Sequence, residues 1–286
     1  MTSRLLMPVR SRGAAGPAAS GPAVGPDADP TSGSTRPTAI LDLGHPLVEA
    51  FTARVRDEAA ARGDRTDRGR LRTAHRLLVA GVRPVYSVED RRRTSRTLRL
   101  GRGSCSQRMA VLEAVARSLG TATRVRGLLV DGSFWYPRFP RLRPFVPAEV
   151  LLAWPEFRLD GAWVPIADLF DRPDPARQDA GGSAPTGGSA PTGGSAKSGG
   201  FAPTGGFANS GAETLFEAVA RTGVDWDAPA ACDGASGACD LSAHLRADLG
   251  RFASRDELFD RYGQTLCRPA RTLAEPVLGR WSAGAA

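Results

Sequence analysis

Apolar residues recur at spacings of three and four most regularly between residues 104 and 119, where Met109, Leu112, Val115, Ala116 and Leu119 form one stripe. That period matches the α-helical turn. Ser104 stands where an N-cap hydroxyl accepts from a free backbone N–H, and Gly120 stops the helix. Two earlier helices are predicted by the same pattern. One runs from Pro46 to about Arg62 through Leu47, Val48, Phe51 and Val55. The other covers 67–80, with Leu71, Ala74, His75, Leu78 and Val82 on one side. After residue 120 the pattern shifts to strand-like runs at 124–130, 150–159 and 162–166, and Asp160-Gly161 between the last two signals a hairpin. Beyond the middle of the chain, 213–221, 241–249 and 254–262 predict three short helices, the last with a Ser254/Glu257 capping box.

Composition divides the chain into four parts. Residues 1–38 are rich in Pro, Ala, Gly and Ser and predict a disordered tail, with structure beginning at Ala39-Ile40-Leu41. Residues 39–174 hold the main domain. Residues 175–212 contain five imperfect hexads (GGSAPT, GGSAPT, GGSAKS, GGFAPT, GGFANS), a composition that cannot bury enough surface to fold and predicts a flexible linker. Residues 213–286 are expected to form a C-terminal helical segment.

The net charge of +8 raises nucleic acid as a partner. The positive residues are nearly all arginine and are spread along the chain rather than gathered with aromatics on one stripe, which argues against that partner. No run reaches membrane-spanning length and no signal-peptide pattern follows Met1, so a cytoplasmic location is expected. The four cysteines, Cys105, Cys232, Cys239 and Cys267, form no CxxC pair and have no histidine at ligand spacing. Neither a metal nor an organic cofactor is expected. Cys232 and Cys239 flank a Gly/Ser turn and would bridge in an oxidising place, but free thiols are expected in the cytosol.

The chemistry concentrates at Gly101-Arg-Gly-Ser-Cys105. A cysteine in the first turn of a helix lies beside unpaired backbone N–H groups, whose partial positive charge favours a thiolate and could hold an oxyanion. A small apolar cysteine at a helix start can equally be packing. The residues that follow bear on this choice. Gly103-x-Cys105, an amphipathic helix, and then Arg124-Val125-Arg126-Gly127 resemble the transglutaminase-like superfamily, where a GxC helix leads into a GxxxRxVxG strand. That family's next block reads His-Ala-Trp-x-Glu-Val-x-Leu-x-Gly-x-Trp-Val-x-x-Asp. Trp154, Glu156, Leu159, Gly161, Trp163 and Val164 align with it without a gap.

The resemblance implies an α+β, papain-like fold in which a Cys-bearing helix packs on an antiparallel sheet. It also implies Cys105 as nucleophile for acyl transfer or for amide or thioester hydrolysis. The family's catalytic histidine, however, falls on Leu152, and its aspartate on Ala167, with Asp168 one residue late. Leucine cannot take a thiol proton, and a one-residue slip in a strand turns a side chain to the opposite face. His45, His75 and His244 are the remaining imidazoles, and none is at an evident substitute position. Two functions follow: a cysteine-dependent enzyme acting on a peptide, protein or small acyl substrate, or an inactive domain that binds a peptide or protein. Trp135, Tyr136, Trp154 and Glu156 are the candidate substrate-binding residues. The Trp135–Tyr136 loop reads equally as a binding groove or as a surface loop whose aromatics tuck inward.

Overall fold

A computed structural model of the chain describes residues 32–140, 143–170, 207, 209, 213–227 and 241–280. The first 31 residues, nearly all of the expected linker, and Cys232 and Cys239 lie outside the described residues. Order begins before Ala39, because Ser34 exchanges backbone hydrogen bonds with Thr123 (2.9 and 3.0 Å).

Helices α1 (Pro46–Ala61) and α2 (Asp67–Gly81) match the apolar stripes. The His45 ring caps the first by accepting from Leu47 N–H, and the Thr66 hydroxyl caps the second by accepting from Gly69 N–H. A third helix, α3 (Thr94–Leu100), was not expected, since only Leu98 and Leu100 in it are apolar. The Asp42 carboxylate organises its start, accepting from the Thr94 hydroxyl at 2.6 Å and from Ser95 N–H at 3.0 Å. Burial works against the Asp42 charge, but those hydrogen bonds outweigh it and hold the carboxyl below the ordinary aspartate value.

Two-residue strands β1 (Arg83–Pro84) and β2 (Arg102–Gly103) pair in parallel and bring the 85–92 loop alongside the start of α4 (Cys105–Ser118). Every residue of α4 from Gln107 to Arg117 is buried. This central helix touches both apolar clusters. Met109, Leu112 and Val115 join Leu71, Leu128 and Phe157, while Ala110 and Ala114 join Val125, Ala153 and Phe259.

The sheet runs β5-β4-β3-β6. Strands β3 (Thr123–Asp131), β4 (Glu149–Leu159) and β5 (Ala162–Pro165) are antiparallel neighbours, with Leu128 opposite Leu152. The β4–β5 turn places Asp160 at φ 50° and Gly161 at φ 79°, the two left-handed residues that a tight hairpin of this twist requires. The fourth strand is a correction. Residues 241–249, expected to be helical, instead supply a 3-10 turn (Leu241–His244) and most of β6 (Leu245–Phe252), which pairs with β3. The free edge of β3 supplies backbone partners, and Arg246 and Asp248 alternate outward between Leu245, Ala247 and Leu249, so pairing overrides helical propensity.

The C-terminal segment is therefore not purely helical. It holds a short α5 (Leu215–Ala218) in place of the expected 213–221 helix, then β6, then α6 (Arg255–Tyr262) and α7 (Arg268–Leu278). Ser254 caps α6 by accepting from Glu257 N–H, as the sequence predicts. The whole is an α+β arrangement of helices around an antiparallel sheet. No helix among the described residues is long and apolar enough to cross a membrane.

Candidate functional site

Cys105 occupies the first helical position of α4 and is half-buried. A reciprocal capping box fixes the turn around it. The Ser104 hydroxyl accepts from Gln107 N–H, and the Gln107 side-chain oxygen accepts from Ser104 N–H at 3.1 Å. The 85–92 loop adds Tyr86, which lies within electrostatic reach of Cys105 and hydrogen-bonds to Arg138. Burial is the main cause that raises the Tyr86 phenol above its ordinary value, with the nearby Cys105 adding to it and Arg138 opposing it. Tyr86 also meets Phe139 edge-on at 4.5 Å. Arg138 donates to Asn209 at 2.7 Å and to the Glu213 carbonyl, so chain on both sides of residues 210–212 is fastened beside the cysteine.

Leu152 and Ala167 belong to the same apolar cluster against which Cys105 packs. In the β3–β4 register Leu152 stands opposite Leu128, a buried member of that same cluster. Ala167 is wholly buried, whereas Asp168 is exposed in the 3-10 turn Ile166–Leu169, with its backbone carbonyl accepting from Arg68 at 2.6 Å. The two positions onto which the sequence resemblance maps that family's histidine and aspartate are thus a half-buried leucine and a buried alanine at one apolar cluster.

Each of the three imidazoles has partners of its own. His45 caps α1. His75 lies between Phe170 and Phe216, 2.6 Å from the Phe216 carbonyl, and burial pushes its basicity down. His244 sits 3.5 Å from the Ser133 hydroxyl and edge-on to Phe134.

The expected substrate-binding residues separate into two groups. Trp135 is half-buried, and Tyr136 is 36% exposed with the Arg143 guanidinium 5.6 Å from its ring centre. Neighbouring Phe134 and Arg138 turn inward. Trp154 is only 1% exposed and packs edge-on to Trp226 at 5.2 Å. Glu156 is 2% exposed and accepts from Arg124 at 2.5 Å and Arg251 at 3.3 Å, so it is spent on holding β3, β4 and β6 together. Sequence reasoning did not anticipate Tyr86, which carries no local signal. It also passed over Gln107, which was readable as the fourth residue of a Ser-x-x-Gln capping box. Among the described residues no group of three His, Cys, Asp or Glu is placed to hold a metal ion.

A search of curated proteins and of solved structures gave no match to the chain. The family model described as the transglutaminase-like superfamily matches residues 57–167. That stretch runs from the second half of α1 through Cys105 to the turn after the β4–β5 hairpin, and over it the chain is similar to the transglutaminase-like superfamily.

Proposed function

We propose that this domain lacks the proton-transfer half of its family's chemistry and binds a peptide or protein partner in front of Cys105. The observation that supports this reading is Leu152, packed against an apolar cluster at the position to which the resemblance assigns the imidazole, while all three histidines have other partners. A positioned general base is worth about 10² to 10⁴ in rate, and leucine contributes none of it. Tyr136 and Trp135 offer the partly open aromatic surface that an extended peptide would use. The second reading, acyl chemistry at Cys105, is favoured by one feature: a half-buried thiol at the first position of a well-capped helix.

The test compares the full chain with Cys105→Ala for incorporation of a fluorescent amine into a glutamine peptide and for thioester hydrolysis. Equal rates support the binding reading, and turnover that disappears in Cys105→Ala replaces it with the second. Peptides selected on the full chain from a displayed library should bind Tyr136→Ala more weakly. Unchanged binding would place the partner surface elsewhere.

A further inference from the structure

Helix α7 is built the opposite way round from the other helices. Its only buried residue is Ala270, while Leu273 and Val277 face solvent at 78% and 63% exposure. Hydrophobic burial therefore does little to hold it. What holds it is polar, and most of it is one carboxylate. Glu275 accepts from the Ser87 hydroxyl at 2.9 and 3.0 Å, from Val88 N–H at 2.9 Å and from Arg92. At the other end of the arm, Gln264 accepts from Arg91 N–H at 3.2 Å.

These contacts land on the loop that carries Tyr86, and they continue to the cysteine. Ser87 accepts from the Gln107 amide at 2.7 Å, and Arg92 donates to the Gln107 oxygen at 2.9 Å. That same oxygen receives Ser104 N–H, which closes the cap on the turn that starts at Cys105. A run of hydrogen bonds thus leads from Glu275 through Ser87 and Arg92 to Gln107 and the first turn of α4, across about 170 residues of sequence.

We propose that residues 264–280 are a latch on the 85–92 loop, and that Glu275 is the positioning residue through which the latch controls access to Cys105. An element held by few apolar contacts opens more readily than the core. Opening removes the acceptor from Ser87, Val88 and Arg92, frees the loop and uncovers the thiol. The inference goes beyond the proposed function and stands whether the cleft binds or reacts.

The test is site-resolved alkylation of Cys105 by iodoacetamide in the reduced full chain, read by mass spectrometry, together with backbone hydrogen exchange. Replacing a charged acceptor by Glu275→Gln should raise the Cys105 rate about tenfold. Exchange should quicken in 85–92 and 264–280 and stay unchanged in β3 and β4. Glu275→Asp, which keeps the charge, should fall between, and Gln264→Ala should move labelling the same way. Glu58→Gln, at an exposed pair with Arg62 on α1, should leave it unchanged. A Cys105 rate within twofold of wild type while 264–280 exchanges faster would overturn the proposal, as would unchanged exchange in both segments.

Discussion

Arg255 and Glu113 offer the sharpest test of whether the C-terminal segment belongs to the same folding unit as the cysteine helix. Both side chains are fully buried and paired, one on α6 and the other on α4. Arg255 Nε lies 3.0 Å from Glu113, and its Nη1 donates to the Ser106 carbonyl at 3.1 Å, one residue beyond Cys105. Glu113→Ala strands a guanidinium in the interior with one carboxylate gone. Breaking a buried pair in this way costs about 3–5 kcal/mol, several times the roughly 1 kcal/mol ceiling for an exposed pair such as Arg62–Glu58. For a chain of this size that loss lowers the thermal midpoint by roughly 6–20 °C. Urea unfolding followed by both tryptophan fluorescence and circular dichroism is the assay. Glu113→Leu combined with Arg255→Met should recover most of the loss, because the desolvation cost leaves with the charges. A Glu113→Ala effect under about 1 kcal/mol, or two separate transitions in the wild type, would refute the reasoning that α6 and α4 share one core.

Asp90 makes stability depend on pH. Burial pushes its carboxyl up to about 7, reinforced by Glu89 and opposed by Thr265 N–H, Arg255 and Arg271. The folded chain therefore keeps a proton that the unfolded chain has lost, so stability falls as pH rises from about 4 to 7 and levels above that, by at most about 4 kcal/mol. Asp90→Asn should flatten this limb in urea midpoints taken at pH 5 and pH 8, and an unaltered limb would assign it to another group. Gly132→Ala should abolish or severely reduce folded yield, since a Cβ there would sit 1.7 Å from the Pro147 carbonyl oxygen. Gly161→Ala, at positive φ with open space around it, should cost only about 1 kcal/mol in the same unfolding assay. Equal losses at the two glycines would contradict the geometry.

Much of the domain could be read along the chain because its signals are local. The stripe from Met109 to Leu119, the Ser104 cap and the Asp160-Gly161 turn each act within a few residues, and each reappears in α4 and the β4–β5 hairpin. What could not be read depends on partners far away in sequence. Residues 245–249, read as the second half of a helix, become part of β6 because β3 presents an edge about 120 residues earlier. Helix α3 has no apolar stripe and starts on Asp42, more than 50 residues upstream. Trp154 and Glu156 looked suited to binding because aromatics and carboxylates often do that work. Nothing local to them reveals Trp226, Arg124 and Arg251, which take them into the interior. That leucine stands at position 152, where the resemblance leads one to expect histidine, was legible in the sequence. That the other imidazoles are occupied was not, because Phe216, Ser133 and Phe134 are distant or cryptic partners.

The most direct test of the central claim is the acylation rate of Cys105 by an activated ester in the wild-type chain and in Leu152→His with Ala167→Asp. If position 152 faces the thiol and lacks only a proton acceptor, the double variant should acylate at least about 100-fold faster, with the gain abolished by Cys105→Ala. Equal rates in the two chains would contradict the account, showing either that position 152 does not face Cys105 or that another group already serves it.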